Sequence, residues 1–401
     1  MTPPETPEPR PMPPIALNRR RFLGCSAAAG LALSQGRVGE AAGEGVGEAV
    51  APVRLGLIGL GTRGTTLLRT ALELPGVTVA AVCDAEPKHR LRGLGIVEKA
   101  TGGRPDALER PDRLLERADL DAVLVALPCD RHAEVYSAAL RAGKHLYAEK
   151  PLGLTPAECD RLIAEAAAAP ALAFHVGFQR RSNPRYRDGV ERARRGEIGD
   201  LIQGSASWVS SNGPMNGHDD WLARRARSGD WMVEQAVHVW DVFHWVAGGP
   251  PVRACGRGRR DLFSRDQPDR DVTDHYSVQL DWADGFHATF LHSWVAPADE
   301  RFTGVALQVL GTEGGLDLAT GALTFRDRSR PRQTVHPGVQ ADTRMALQAF
   351  VSAARSAGAT PDVPPVSLAE ARDATLTGLL VRKAVDECRV VTLDEIRSGA
   401  V

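Results

Sequence analysis

Apolar runs alternate with helical repeats in the first part of the chain. Residues 53–58 form an apolar run, and further runs lie at 77–82, 122–127 and 145–148. After the first run, apolar residues recur at the spacing of one helical face, namely Leu67, Leu68, Ala71 and Leu72. Strands that alternate with helices in this way are typical of a parallel sheet with helices on both faces.

The end of this region carries boundary signals. A helix is expected to begin at about His132, and a later one is capped by Thr155, with Glu158 completing a capping box. An apolar run at 171–177 closes the region. We therefore predict that residues 52–177 form an α/β domain with a doubly wound, parallel sheet of the Rossmann type.

The pattern changes after residue 177, where apolar and polar residues alternate. A helix is predicted at 230–246, and two more at 342–357 and 367–388. Two segments indicate antiparallel strands with one buried face, through Tyr276, Val278 and Leu280 and through Phe286, Ala288 and Phe290. We predict an α+β domain over 178–401 with a mostly antiparallel open sheet, whose open face packs on a partner subunit.

The first 51 residues differ from both domains. Residues 1–14 are rich in proline, which predicts a disordered tail, and residues 36–51 form a Gly/Ala/Glu linker. The paired arginines at 19–20 are followed, after one residue, by Phe-Leu, which is similar to a twin-arginine export signal. The apolar stretch at 25–33 is too short to span a bilayer. We expect export to the periplasm or another extracytoplasmic space; a chance basic patch is the alternative.

The composition of the 401-residue chain suits a globular protein of two ordinary domains. Charged residues make up 25% of the chain and nearly cancel, leaving a formal net charge of −1. This balance gives no electrostatic reason to expect a nucleic acid partner. The six cysteines are scattered without a C-x-x-C pair. We interpret them as buried apolar residues rather than as a disulfide frame or a zinc site.

A glycine-rich turn joins the first apolar run to the first helical pattern. Its glycines are Gly59, Gly61 and Gly64, and Thr62 and Arg63 lie between them. Glycine lets the backbone turn tightly and approach a pyrophosphate, which then binds at the helix N-terminus. These five residues are therefore candidate cofactor-binding residues; a glycine-rich turn without a ligand is the alternative.

Asp84 follows the second apolar run, twenty residues after Gly64. At this distance a dinucleotide-binding fold places a carboxylate on the adenosine ribose. The carboxylate favours NAD, because it binds the ribose 2′-hydroxyl and repels a 2′-phosphate. Basic residues nearby could still serve a phosphate, so NADP stays open; these are Lys88, His89 and Arg90.

Lys150 comes just after the run at 145–148, at the strand end where open α/β sheets bind ligands. Its ammonium could stabilise the alkoxide that precedes hydride loss from a substrate hydroxyl. A surface lysine in a salt bridge is the alternative. His132, near the end of the third strand, is a candidate cofactor contact or a simple cap residue.

Two arginines follow the last strand of the first domain. Arg180 and Arg181 are candidates for binding substrate hydroxyls or carboxylates, unless they are solvated.

The helix predicted at 230–246 is apolar nearly all round, which predicts that it is buried. Yet Glu234, His238 and Asp241 are spaced to share one face, so they should meet a cleft or a polar network. His238 suits a general base, Glu234 could orient it, and Asp241 could contact the substrate. The alternatives are a packing network without catalysis, and a metal site completed by His218 or Asp219.

Four segments together resemble the Gfo/Idh/MocA family of NAD(P)-dependent oxidoreductases, most of which act on sugars or polyols. They are the turn at 59–64, Ala-Glu-Lys-Pro at 148–151, the stretch 177–184 and the stretch 234–241. The resemblance runs from residue 53 to the last helix. It implies a carbohydrate substrate and a homodimer or homotetramer joined through the sheet of the second domain.

The resemblance also implies roles for single residues. Lys150 would be the catalytic lysine, His238 the catalytic histidine, and Glu149 would lie near the nicotinamide ribose. Glu234 stands where the family often has aspartate, four residues before the histidine.

Three functions stay open on the sequence alone. The first is a sugar or polyol oxidoreductase that transfers hydride to a nicotinamide. The second is a redox-neutral, NAD-dependent glycosidase, because an exported enzyme would meet little free cofactor and would have to retain its own. The third is a non-catalytic binding protein that keeps the dinucleotide as a structural part.

Overall fold

The computed structural model of the chain describes residues 51–336, 342–355 and 366–399. The expected disordered tail and twin-arginine signal lie outside the described residues. In the described part no helix is long and apolar enough to cross a membrane.

The first part of the described chain alternates strands and helices, as the apolar runs predict. In chain order the elements are β1 Val53–Ile58, α1 Thr62–Leu72, β2 Val77–Cys83, α2 Pro87–Thr101, β3 Asp106–Leu108, α3 Pro111–Leu115, β4 Ala122–Val125, α4 His132–Arg141, β5 His145–Ala148, α5 Pro156–Ala167 and β6 Phe174–Val176.

The six described strands of this part form one parallel sheet in the order β3-β2-β1-β4-β5-β6. Starting from β1, the chain adds β2 and β3 on one side of it and then β4, β5 and β6 on the other side. The strand order therefore reverses between β1 and β4, where open α/β sheets form a ligand crevice at the carboxyl ends of their strands. The Rossmann-type fold class is confirmed.

Local signals explain several element ends. Thr155 and Glu158 form the expected capping box of α5. The last strand begins at Phe174 rather than at residue 171, because Leu172 N–H bonds Ala169 O in a turn that closes the preceding helix.

The second part of the described chain contains more strands than the sequence pattern revealed. Its elements are α6 Pro184–Arg194, β7 Leu201–Val209, α7 Arg225–Ser228, α8 Trp231–Glu234, α9 Val237–Ala247, β8 Arg253–Arg259, β9 His275–Asp281, β10 His287–Ser293, β11 Gly304–Gly311, β12 Gly314–Asp317, β13 Ala322–Phe325, β14 Gln333–Thr334, α10 Asp342–Arg355, α11 Leu368–Glu387, β15 Val391–Thr392 and α12 Leu393–Arg397.

The described strands of the second part form one sheet in the order β14-β13-β12-β11-β7-β10-β9-β8-β15. Neighbouring strands are antiparallel except β7 and β10, so the predicted mostly antiparallel sheet is confirmed. In β9, alternate residues are buried on the side that contacts α11, and α9 packs on β7. On the opposite face of the sheet the large apolar side chains of Leu291 and Leu310 are exposed.

The predicted single helix at 230–246 is wrong. The structure has two helices, α8 and α9, separated by Gln235 and Ala236. Glu234 ends the first helix, whereas His238 and Asp241 belong to the second. The three side chains therefore do not share one continuous helical face.

A lysine from the first domain accounts for the break. In an unbroken helix the carbonyl of Glu234 would accept the N–H of His238. Instead Lys150 Nζ donates to Glu234 O, and His238 N–H bonds Gln235 O at 3.2 Å. Ala236 N–H bonds back to Trp231 O at 2.8 Å, a wider turn than the α-helical one.

Helix α10 packs on the first sheet although it lies late in the sequence. Its apolar face joins the buried residues of β1 and α1 through Ala346, Leu347, Phe350 and Val351. The ring of Phe350 meets that of Tyr147 edge to face, with centroids 5.7 Å apart.

Candidate active site

A cleft of about 1380 Å³ lies at the carboxyl ends of the first sheet and is lined by both parts of the chain. Ligand pockets commonly measure about 300–1,000 Å³, so this cleft is large enough for a dinucleotide together with a small substrate. The first sheet contributes the glycine turn and the ends of β2 and β5. The second part contributes α8, the start of α9 and the segment before α7.

The three glycines of the turn differ in their surroundings, and packing within the protein requires glycine at two of them. Gly59 has a φ of +89°, and a Cβ there would lie 2.2 Å from Ala126 O. A Cβ on Gly64 would lie 1.9 Å from Gly59 O, so only glycine lets α1 pack on the turn. Gly61 lines the cleft, and a Cβ there would meet nothing within 4 Å.

This geometry fits a pyrophosphate. The space at Gly61 opens into the cleft, and no side chain of the described residues caps the N-terminus of α1. The first N–H groups of a helix are free to bind an anion, and the helix dipole favours negative charge there. Thr62 and Arg63, in the first turn of α1, also line the cleft.

Asp84 lies in the cleft at the end of β2, as expected for a ribose-binding carboxylate. Its oxygens accept the N–H groups of Leu60 at 2.6 Å and Glu86 at 2.9 Å. An ionised carboxylate has about four acceptor positions, so both oxygens keep capacity for a ribose hydroxyl. Lys88 and His89 line the cleft beside it, whereas Arg90 bonds Asp84 O at 2.5 Å and does not.

Arg63 and Glu149 link the glycine turn to the end of β5. Arg63 Nε lies 2.6 Å from Glu149 Oε1, and Glu149 is buried at the floor of the cleft. Burial acts to lower the pKa of Arg63, but Glu149, Tyr147 and Asp342 together raise it above its ordinary value. The guanidinium of Arg63 therefore stays charged where the resemblance places the nicotinamide ribose.

Lys150 pairs with Glu234 across the two domains. Its ammonium lies 2.6 Å from Glu234 Oε1 and also donates to the main-chain oxygen of Glu234. Burial alone would lower the pKa of Lys150, but the charge of Glu234 and smaller contributions from its neighbours raise it above its ordinary value. Lys150 therefore remains an ammonium in the cleft and cannot act as the base.

His238 lines the same cleft in the opposite protonation state. Burial, together with the positive charges of Lys150, Arg180 and Arg63, holds the pKa of His238 well below its ordinary value. The imidazole is neutral at pH 7 and can accept a proton. Its Nδ1 is buried without a hydrogen-bond partner among the described residues.

The expected orientation of His238 by Glu234 is not what the structure shows. Among the described residues the carboxylate of Glu234 bonds Lys150, and no hydrogen bond joins it to His238. The helix break turns Glu234 toward the lysine. The ring of Phe178 packs edge to face on His238, with centroids 6.0 Å apart.

The expected substrate contacts of Arg181 and Asp241 are also corrected. Asp241 is 1% exposed and accepts three hydrogen bonds from Arg181, at 2.8, 3.0 and 3.1 Å. Arg181 also bonds Glu370 at 2.8 Å. None of the three lines the cleft. The buried Arg181–Asp241 pair joins α9 to the turn after β6, and the bond to Glu370 extends this contact to α11.

Arg180 likewise lies outside the cleft lining. Its guanidinium sits over the rings of Tyr186 and Trp208, 5.7 and 5.4 Å from their centroids. It donates to His238 O at 3.3 Å and so supports α9 instead of facing a substrate.

His132 is buried and does not line the cleft, in contrast to the expected cofactor contact. Its ring nitrogens lie 2.8 Å from Pro151 O and 2.9 Å from Leu127 O. Burial lowers the pKa of His132 despite these carbonyls, so the neutral ring donates to one of them. His132 positions the loop after Lys150.

Sequence reasoning missed part of the second-domain lining. Trp231 and Gln235 lie beside Glu234 in the cleft, and Met215, Trp221 and Leu222 line its outer edge. No motif or spacing marks these residues, because they reach the cleft only through the tertiary fold. Within the described residues no group of three or more His, Cys, Asp or Glu side chains could hold a metal ion.

Two models of one oxidoreductase family match the chain. The model described as an oxidoreductase family with an NAD-binding Rossmann fold matches residues 53–178. The model of the GFO/IDH/MocA C-terminal domain matches residues 186–317.

Curated relatives and solved structures agree with this match. The chain is 30% identical over 196 residues to myo-inositol 2-dehydrogenase of Thermotoga maritima, covering 49% of this chain and 55% of that protein. It is 30% identical over 217 residues to a glycosyl hydrolase family 109 protein of Shewanella pealeana, covering 49% and 46%. The chain thus spans about half the length of the curated relatives it matches.

A solved structure of scyllo-inositol dehydrogenase from Lactobacillus casei, described with bound NAD(H) and scyllo-inositol, superposes with a TM-score of 0.67. The match covers 86% of this chain and 99% of that chain at 22% identity. At this identity the likeness is one of fold.

Proposed function

Because the chain belongs to the Gfo/Idh/MocA family of oxidoreductases, we propose that it oxidises a sugar or polyol hydroxyl by transferring hydride to a nicotinamide in the cleft. Residues 53–178 form an NAD-binding Rossmann domain. The inositol dehydrogenases among its relatives support a polyhydroxylated ring as substrate.

One observation carries the proposal. The cleft holds a charged ammonium, Lys150, and a neutral imidazole, His238, contributed by different domains. Oxidation of an alcohol needs a base for the hydroxyl proton and positive charge for the developing alkoxide. The two groups have the protonation states that these roles require at neutral pH.

Some of the residues lining the cleft would bind the cofactor, and others would take part in the chemistry. The glycine turn and Asp84 would hold the pyrophosphate and adenosine ribose of NAD, with Glu149 and Arg63 near the nicotinamide ribose. When bound, NAD supplies the hydride acceptor. His238 accepts the hydroxyl proton, and Lys150 donates a hydrogen bond to the same oxygen and stabilises its negative charge. Glu234 holds Lys150 in place and keeps it charged.

The test is a screen with purified protein and added NAD. A panel of inositols, aldoses and linear polyols is followed by the absorbance of reduced nicotinamide. We expect stoichiometric reduction with at least one polyhydroxylated ring. Tight NAD binding without reduction by any member of the panel would contradict the proposal and favour the non-catalytic binding protein.

The similarity to a glycosyl hydrolase family 109 protein favours a second candidate, a redox-neutral glycosidase that retains its NAD. Cofactor demand separates the two candidates. Release of nitrophenol from nitrophenyl glycosides without added NAD and without net reduction would support the glycosidase. A strict requirement for stoichiometric NAD would exclude it.

We also propose an oligomer and an extracytoplasmic location. The exposed apolar face of the second sheet suits a homodimer or homotetramer interface, which light scattering of the purified protein tests. The twin-arginine pattern at 19–20 suits export of the folded protein. Replacing that pair with lysines should retain the protein in the cytoplasm; unchanged export would contradict this route.

A further inference from the structure

The outer edge of the cleft is formed by a segment of the second domain, residues 215–224, which we call the strap. Six of its residues line the cleft, namely Met215, Gly217, His218, Asp219, Trp221 and Leu222. They face the end of β2 and the start of α2, where Asp84, Glu86 and His89 lie. The part of the cleft expected to receive the adenosine of NAD therefore lies between the two domains.

The strap is anchored in the second domain at its two ends. Arg270, itself buried and ion-paired with Asp274 at 2.6 Å, donates to Met215 O at 3.3 Å. At the other end, the N–H of Asp271 bonds Ala223 O at 3.2 Å. These anchors fix the base of the strap and leave its middle to reach across the cleft.

The middle of the strap contacts the first domain. His218 Nε2 lies 3.5 Å from Glu86 Oε2, and its ring meets that of His89 with centroids 5.2 Å apart. Just after the strap, Arg227 Nε lies 3.6 Å from Asp130 Oδ2 and its Nη1 bonds Asp219 Oδ2 at 2.9 Å. Two polar bridges thus span the cleft, one at each side of the strap.

Both bridges are of a kind that opens readily. The side chains of His218 and Glu86 are 50% and 29% exposed, and those of Arg227 and Asp130 are 31% and 28% exposed. Ion pairs with this much solvent contact contribute little to stability. The strap can therefore part from the first domain to admit a ligand, while its anchors on the second domain persist.

The backbone of the strap is shaped by its surroundings. Gly217 has a φ of +71°, and a Cβ there would lie 2.5 Å from Trp221 Nε1. Asp219 and Asp220 both have positive φ, 56° and 51°. Consecutive non-glycine residues in this conformation persist only where the surrounding structure imposes them, and they concentrate at ligand clamps and similar sites.

We propose that the strap closes over the adenosine half of NAD and retains the cofactor between turnovers. The inference rests on the cofactor site of the proposed oxidoreductase, but it concerns retention and not chemistry. Release of NAD then requires the His218 and Arg227 bridges to open, so these residues govern dissociation more than association.

The experiment measures the dissociation of NADH from the full-length protein. NADH is bound first, excess NAD is then added, and the loss of NADH fluorescence gives the dissociation rate. The double variant His218→Ala/Arg227→Ala removes both bridges and should release NADH about tenfold faster. The matched control is His287→Ala/Arg301→Ala, which changes the same residue types away from the cleft and should release NADH at the wild-type rate.

A second measurement uses the unmodified protein. Amide hydrogen exchange of residues 215–224 should slow when NAD is added, because closure protects the strap. Equal dissociation rates in the two double variants, or exchange in the strap that NAD leaves unchanged, would overturn the proposal. If NADH is retained by the strap but no substrate is oxidised, the proposed function fails while the strap proposal stands.

Discussion

The two walls of the cleft differ in how far apart along the chain the residues that shape them lie. In the first-domain wall, the glycine turn and Asp84 occupy positions set by their own strand–turn–helix unit. In the second-domain wall, Glu234 and His238 owe their positions to a helix break that Lys150 completes from 84 residues away. The first wall is built by backbone shape and is suited to hold a cofactor. The second is built by side-chain contacts between domains and is suited to chemistry.

Loss of the base in the second wall should give one of the two largest effects, the other being loss of the Lys150 ammonium. His238→Asn removes the base while keeping a polar side chain, and turnover should fall about a thousandfold with little change in the NAD dissociation constant. His287→Asn, outside the cleft, is the matched control and should keep wild-type turnover. Steady-state kinetics and NADH titration measure both quantities. A proportional loss of NAD affinity would contradict the assignment of cofactor binding to the first wall and chemistry to the second.

The pH dependence sharpens this assignment. The pKa of His238 lies below its ordinary value of 6.5, and the imidazole loses its function when it is protonated. Wild-type kcat/KM should therefore hold down to pH 6.5 and decline only at lower pH. A decline that is complete by pH 6.5 would show that another group is the base.

The Arg181–Asp241 pair tests whether buried residues behind the second wall stabilise the protein without taking part in the chemistry. Asp241→Asn leaves a buried guanidinium without its main partner and should lower the free energy of unfolding by about 3 kcal/mol. The KM for substrate should change little, because Asp241 does not line the cleft. Urea unfolding and kinetics on the folded variant check both parts. A large rise in KM without loss of stability would restore its role as a substrate contact.

In the first wall, two glycine substitutions should separate residues that bind the cofactor from residues that stabilise the fold. Gly61→Ala should weaken NAD binding about thirtyfold by blocking the pyrophosphate, with an unchanged melting temperature, because its Cβ meets no protein atom within 4 Å. Gly64→Ala should lower the melting temperature, because its Cβ would lie 1.9 Å from Gly59 O. Calorimetry and NADH titration distinguish them. Equal loss of stability in both variants would contradict separate roles.

The smallest effect concerns the contact between the walls. Glu234→Gln keeps the hydrogen bond to Lys150 but removes the charge, and kcat/KM should fall about tenfold. Burial then dominates, so the pKa of Lys150 falls and the lysine loses its proton at lower pH. The alkaline limb of the kcat/KM profile should move to lower pH. An unmoved limb would show that Glu234 does not hold the charge on Lys150.

Most of the first wall could be predicted from the sequence because its signals are local. The glycine turn, the carboxylate at the end of β2 and the capping box of Thr155 all depend on residues near one another in the chain. The same local signals predicted the Rossmann sheet. Together with the family resemblance, they also predicted that Lys150 and His238 lie in one cleft.

The features of the site that the sequence did not predict depend on contacts between residues that are distant in the chain. The apolar pattern at 230–246 continues through the break at Gln235 and Ala236, because the cause lies in Lys150. Arg181 and Asp241 pair with each other because α9 lies beside the turn after β6, which spacing along the chain does not show. The strap is held at the cleft by Arg270 and Asp271, which are distant from it in the chain.

The most direct test of the central claim is the Lys150→Met variant, compared with Lys99→Met, a surface substitution of the same kind. Turnover of the substrate found in the polyol screen and the NADH dissociation constant are measured on both. The account predicts that Lys150→Met lowers turnover about a thousandfold while NADH binds within threefold of wild type, and that Lys99→Met changes neither. Turnover of Lys150→Met close to wild type would contradict the assignment of alkoxide stabilisation to this ammonium.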